Sequence, residues 1–205
     1  MTIGLVVEGV SEFESLPFIT AKFAADLPDA LRRPVKANIQ PAAPVAVIAR
    51  ECARAVRQLE DRVDRAVIVL DREDRQECCG DLATGIANLV RPNVRCGVDV
   101  VLKNSKYENW LVADFDAIQT MGARFRVTDG DRRQIVPNRA DSIDAYALLR
   151  RAAIREAYDK VRDSVRIARV ASPDRIAQNS RSFRRFLRVV RHIRYRTQSA
   201  RPVPA

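Results

Sequence analysis

Short runs of consecutive apolar residues alternate along this chain with longer stretches in which apolar residues return every three or four positions. The first run, Ile3 to Val7 with Gly4 among them, predicts a short buried strand. Glu8 stands at its carboxyl end, Gly9 allows a tight turn, and Ser11 and Glu14 have the spacing of a capping box, so Ser11 is expected to cap the next helix. Leu16, Ile19, Thr20, Phe23 and Leu27 then form one apolar helical stripe. Val35 to Gln40 alternates weakly and predicts a second strand, stopped by Pro41 and Pro44. Val45, Ile48, Cys52, Val56, Leu59 and Val63 mark the next helix. Ala66 to Leu70 is a continuous, mostly β-branched run, as in a strand covered on both faces, and it leads into Asp71-Arg72-Glu73-Asp74. A third helix carries Leu82, Ile86, Leu89 and Val90 inward, and Val98 to Leu102 is a fourth strand.

Four strand–helix alternations predict an α/β fold with a mainly parallel four-stranded sheet between helices, over about residues 1–116. From Phe115 to Arg139 the pattern is broken by Gly122, Gly130 and Pro137 and reads as a loop or small insertion. Asp141 is expected to cap a long helix reaching Val161. The last helix places Phe183, Phe186, Leu187 and Val190 at docking positions, with Arg181, Arg184, Arg185, Arg188 and Arg191 outward. Residues 117–198 thus form a mostly helical extension packed on the core, and 199–205 a disordered tail.

The 205 residues are 47% apolar, ample for a core. No apolar run approaches the ~20 residues of a membrane helix, and the chain enters a strand without a signal-peptide pattern, so a soluble cytoplasmic protein is expected. Cys52, Cys78, Cys79 and Cys96 make neither a disulfide framework nor zinc spacing, and His192 is the sole histidine, which argues against a histidine-dependent nucleophile. The net charge of +10, mostly arginine, points to a polyanionic partner; a composition that uses arginine in place of lysine everywhere is the plainer reading.

Acidic residues follow three of the four strands: Glu8, then Asp71 with Glu73, then Glu108. In a parallel sheet these strand ends share one rim, where open α/β sheets bind ligands. Carboxylates gathered that closely repel unless a cation lies among them, and an all-oxygen set favours Mg²⁺ or Mn²⁺. Lys103 and Lys106 stand beside them to neutralise a phosphate, although a lysine is ordinarily just a solvated charge. Glu8 and Glu12 read equally as rim charges favoured by a helix N-terminus. Trp110 fits core packing better than base stacking.

Glu8-Gly9 after a first strand and Asp71-x-Glu73 after a later one resemble the Toprim domain of topoisomerases, primases and nucleases. Glu8-Gly9-x-x-Glu12 and Tyr107-Glu108-Asn109-Trp110-Leu111 are similar to its overcoming-lysogenization-defect nuclease branch. The pattern Val7-Glu8-Gly9, Leu70-Asp71-Arg72-Glu73, Lys106 to Leu111 and Ser180 to Leu187 most resembles a family of small stand-alone bacterial Toprim-like proteins of undefined function found beside ABC or AAA ATPases. That resemblance implies one or two Mg²⁺ or Mn²⁺ ions with Glu8, Glu12, Asp71, Glu73 and Glu108 as ligands or general bases. Asp71-x-Glu73 departs from the usual Asp-x-Asp, and the longer side chain changes metal reach, with Asp74 as a substitute.

The expectation is therefore a Mg²⁺-dependent nuclease, the effector of an antiphage defence system whose ATPase is a separate chain. Glu8, Asp71, Glu73, Lys103 and Lys106 are its candidate catalytic residues, and Arg72, Arg181, Arg184, Arg185 and Arg188 its candidate nucleic-acid contacts, to RNA or DNA. Homo-oligomerisation is left open. No G-x-x-x-x-G-K-[ST] occurs, so P-loop ATP hydrolysis is not expected of this chain. The alternative is a non-catalytic, metal-binding interaction subunit of the ATPase complex.

Overall fold

A computed structural model describes residues 1–40 and 43–195; the expected tail over 199–205 lies outside the described residues. Strand β1 (Thr2–Val7) runs parallel to β4 (Arg65–Asp71), and β4 parallel to β5 (Gly97–Lys103). Two further strands of two residues each, β2 (Ala30–Leu31) and β3 (Val35–Lys36), also pair with β1 in parallel. The sheet is thus five-stranded, in the order β2-β1-β4-β5 with β3 beside the end of β1. The expected second strand over 35–40 shrinks to Val35–Lys36, in register with Val6 and Val7, and the Ala37 amide makes the last bond to β1, donating to Val7 O at 2.8 Å.

Alternation along the strands sorts the core into two layers. Ile3, Leu5, Val7, Val67, Val69 and Val101 face one cluster, and Val6, Ala66, Ile68, Leu70, Val100 and Leu102 face the other. The second face is covered by α2 (Val45–Arg57) and α3 (Cys79–Val90), through Ile48, Cys52 and Val56 and through Leu82 and Ile86. Gly4 is closely packed there: a Cβ on it would come within 2.9 Å of Leu59 Cδ1 and 3.2 Å of Val63 Cγ1, so those side chains would have to shift. The first face is covered by α1 (Val10–Thr20), α4 (Glu108–Ala113) and helices from the C-terminal part. The result is a three-layer α/β/α arrangement.

Helix α1 begins at Val10 with Gly9 as its cap, and no side chain caps it. Ser11 is therefore inside the helix, and the expected Ser11–Glu14 capping box is not formed. The stretch read as a loop holds α5 (Phe115–Thr120), capped by the Asp114 carboxylate, and α6 (Asp129–Ile135), with a Thr128–Asp131 capping box. The long helix expected from Asp141 divides into α7 (Ala145–Ala152) and α8 (Lys160–Val170), capped by Asp144 and Asp159. Ala153 leaves helical geometry to bridge Phe125, which ends α7. Helices α9 (Pro173–Asn179) and α10 (Arg181–Val189) close the first face. Phe183, Phe186, Leu187 and Val190 are buried as the spacing predicts. Trp110 is wholly buried against Phe183 and Phe186, with ring centroids 5.0 and 5.4 Å away, and its indole N–H donates to Ser182 Oγ at 2.7 Å. Among the described residues no helix is long and apolar enough to cross a membrane.

Candidate functional site

The parallel register places Asp71 directly opposite Lys103 at the carboxyl ends of β4 and β5. Parity sends the Lys103 side chain to the same face as Val101, so the lysine enters the core instead of solvent, with 0% exposure. Its ammonium contacts Asp71 Oδ1 at 3.0 Å and pairs closely with Glu12 Oε1 on α1. It also lies over the rings of Tyr107 and Trp110, 5.5 and 6.0 Å from their centroids. A buried ammonium costs several kcal/mol of desolvation unless paired this well. Burial alone would lower its pKa, but Asp71, Glu12 and Glu8 outweigh that and raise it, so Lys103 is a fixed cation.

Glu8 joins from the adjacent strand end. Its Oε2 accepts the Asp71 amide at 2.9 Å, which ties the end of β1 to the end of β4 beyond the last ladder pair. Gly9 leaves room for the buried Glu12 carboxylate to fold back; a Cβ there would sit 2.5 Å from Glu12 Oε2. Burial raises the pKa of Glu8, partly offset by Lys103 and the Asp71 amide. Burial likewise holds Asp71 well above the usual carboxylate range, with Lys103 opposing and Glu12 and Glu8 reinforcing. Three carboxylates therefore share one buried ammonium.

Glu73 stands two residues beyond Asp71 with φ 55°, a left-handed conformation that carries strain in a glutamate. Its amide donates to Ser105 O at 3.2 Å, and its carboxylate lies 3.6 Å from the half-buried Lys106 ammonium. Burial would lower the pKa of Lys106, but Glu73 and Asp74 raise it. Glu108 is buried at the start of α4 and pairs with Lys160 of α8 at 3.5 Å. The structure thus brings Glu8, Glu12, Asp71 and Lys103 together, keeps Glu73 and Lys106 as a neighbouring pair, and turns Glu108 toward α8.

Of the five arginines expected to meet nucleic acid, Arg72, Arg181, Arg185 and Arg188 line one cleft of about 750 Å³ between the start of α3, the end of β5 and α10. Arg184 does not join them. It is buried, donating to Ala177 O at 2.5 Å and to Asn138 Oδ1 at 2.9 Å, because its place beside Phe183 and Leu187 puts it on the inner side of α10. Arg72 belongs to both regions, lining the cleft while its neighbours Asp71 and Glu73 belong to the carboxylate rim.

One family model, described as a domain of unknown function, DUF4276, matches residues 7–191. The chain belongs to the DUF4276 family. The matched span of the DUF4276 domain begins at the end of β1 and includes every residue of the rim and the cleft. No curated protein and no solved structure matches the chain.

Within this DUF4276 chain, pattern reasoning overlooked four participants. Lys160 is the partner of Glu108, and Ser15 Oγ donates to the buried Tyr107 hydroxyl at 2.8 Å behind the Lys103 cluster. Asn104 and Cys78 line the arginine cleft. Cys78 and Asn104 follow from topology, since each adjoins the carboxyl end of β4 or β5, whereas nothing in the local pattern marks Lys160 or Ser15.

Proposed function

We propose that this chain is a divalent-metal-dependent phosphodiester hydrolase acting on nucleic acid. The observation that carries this reading is the union, at the carboxyl end of one parallel sheet, of the Glu8–Glu12–Asp71 carboxylates with an arginine-lined cleft, joined through Arg72. Acid and base groups alone serve many chemistries. Carboxylates beside a phosphate-suited cleft narrow them to phosphoryl substrates.

The donor set fits a hard cation. All candidate ligands are carboxylate oxygens, and a single ammonium, Lys103, stands among Glu8, Glu12 and Asp71. Among the described residues no three acidic, histidine or cysteine side chains are drawn into a ready ligand shell. Glu12 and Glu108 are buried on their lysine partners, whereas Glu8, Asp71 and Glu73 stay partly open to solvent, so these three are the residues that would hold Mg²⁺ or Mn²⁺. When bound, such an ion supplies Lewis-acid polarisation of a phosphoryl oxygen and acidification of water. This chain's own residues supply the rest. Lys103 fixes Glu12 and Asp71 as a positioning residue, since it is too deeply buried to touch substrate. Lys106, half-buried beside Glu73, is the cation placed to meet phosphate charge. The arginines of the cleft hold the polyanion.

Regulation by a separate ABC- or AAA-type ATPase chain belongs to the same reading, within a defence system. The test is incubation of the protein with single- and double-stranded DNA and RNA in Mg²⁺ or Mn²⁺, with EDTA controls, in the presence and absence of a candidate ABC- or AAA-type ATPase. Cleavage that requires the divalent ion supports the hydrolase. One observation favours a second reading: Lys103 already pairs with both Glu12 and Asp71 from within, as a purely structural ion cluster requires. Intact nucleic acid in every combination, together with a stable complex between this chain and the ATPase, establishes that interaction subunit instead.

A further inference from the structure

The cleft between α3, β5 and α10 is built from charge that the fold itself leaves unanswered. Arg72, Arg181, Arg185 and Arg188 converge on it, and among the described residues none of these four pairs with a carboxylate. The Nε atoms of Arg72 and Arg185 are buried without a hydrogen-bond partner. Burying a guanidinium N–H with nothing to receive it costs free energy, about 1–3 kcal/mol for an ordinary donor and more for a charged one. The four guanidiniums around this recess also repel each other. The one carboxylate in the wall, Asp141, cannot answer them. Its oxygens accept from Ser180 Oγ at 2.8 Å and from the Ser182 amide and hydroxyl, each at 2.8 Å.

The shape and lining of the cleft narrow the ligand. No aromatic side chain lines it, so it offers no platform for stacking a base. A continuous strand carries one charge per nucleotide and asks for cations strung along an open groove. Here the arginines crowd one recess, where three positive charges remain after Asp141 is counted against four guanidiniums. A terminal phosphomonoester carries up to two negative charges near neutral pH, and the adjoining diester adds one.

We propose that this cleft is a subsite for the terminal phosphate of a nucleic-acid strand, seated by Arg72, Arg181, Arg185 and Arg188. Through Arg72 it adjoins the carboxylate rim, so a strand held by its end passes toward Asp71. The inference names the substrate end for the hydrolase reading above, but its test measures binding alone and stands or falls separately from cleavage.

The experiment is fluorescence anisotropy in EDTA, with single-stranded oligonucleotides of one sequence that carry a phosphate at the 5′ end, at the 3′ end, or at neither. One phosphorylated oligonucleotide is expected to bind about tenfold more tightly than the bare one, the scale of one charge-assisted arginine contact. Arg185→Gln and the solvent-exposed Arg188→Gln should each abolish that difference, with unchanged melting temperature for Arg188→Gln, whereas Glu8→Gln should preserve it. The phosphorylated strand should also slow alkylation of the exposed Cys78 in the cleft wall. Equal affinity for all three oligonucleotides in the wild type overturns the proposal. So does retention of the phosphate preference in both arginine variants. ATP displacing the phosphorylated strand at equal concentration overturns the strand-end assignment in favour of a free nucleoside polyphosphate.

Discussion

Asp71 and Lys103 are direct partners in adjacent parallel strands, and their side chains meet at 3.0 Å at the sheet's carboxyl end. The contact joins fold and site, because the ladder that builds the core also delivers an ammonium into a nest of carboxylates. Removing the ammonium should leave Glu12 and Asp71 buried and unpaired. Lys103→Met is expected to cost about 3–5 kcal/mol of stability. Adding Glu12→Gln should recover part of that loss, because one uncompensated charge is then gone. Denaturant unfolding of the single and double variants measures both effects. A double variant no more stable than the single one contradicts the ion-cluster account.

Burial raises the pKa of Glu8, so the folded state favours its protonated form. Below the unfolded pKa, both states are protonated and Glu8 costs nothing. As pH rises through the folded value, a charge must be carried in the cluster and stability falls. Glu8→Gln keeps an oxygen for the Asp71 amide and should match the wild type below the ordinary glutamate pKa, then exceed its stability increasingly as pH rises above it. Melting temperatures across that range, taken without divalent ions, decide it.

The opposite sign is expected at Asp163. Burial would push its pKa up, but hydrogen bonds from Arg124 and the Asp159 amide outweigh that and hold it low. Its contribution is present above the unfolded pKa and lost as pH falls through the folded one. Arg124 also donates to Ile154 O, Glu156 O and Ala157 O, so this pair pins the segment between α7 and α8. Asp163→Asn should cost about 3 kcal/mol at neutral pH, and the deficit should shrink in acid. A deficit that grows toward low pH contradicts the assignment.

Phe186 is wholly buried against Trp110. Phe186→Ala should cost about 3–5 kcal/mol and shift the emission of Trp110, the chain's one tryptophan, to the red as water enters. An unchanged midpoint and spectrum would show α10 to be a detached arm.

Local pattern carried the docking of α10 and the rim positions of Glu8 and Asp71, because both depend on short-range periodicity and strand direction. The burial of Lys103 was latent in the same signal. In the run Val98 to Lys103, the parity that buries Val101 also buries the lysine, yet a single charge at a strand end reads as solvated until its partners on other elements are known. Arg184 shows the same limit, since the edge of an amphipathic stripe is settled by which acceptors stand opposite, here Ala177 O and Asn138 Oδ1. The break between α7 and α8 depends on the bridge between Ala153 and Phe125, a long-range pairing that helical periodicity cannot register. Its place after β5 points Glu108 to the rim, and only the packing of α8 supplies Lys160 to draw it away.

The central claim is that the rim carboxylates perform metal-dependent hydrolysis, and Asp71 is the residue on which it turns. The decisive measurement is the nucleic-acid cleavage rate of Asp71→Ala relative to wild type, with the proposed ABC- or AAA-type ATPase and Mg²⁺ or Mn²⁺ present. Loss of several kcal/mol of transition-state stabilisation predicts a rate at least about a hundredfold lower. The variant should fold normally and be mimicked by wild type in EDTA. Cleavage by Asp71→Ala at the wild-type rate would contradict the account and leave the interaction-subunit reading in its place.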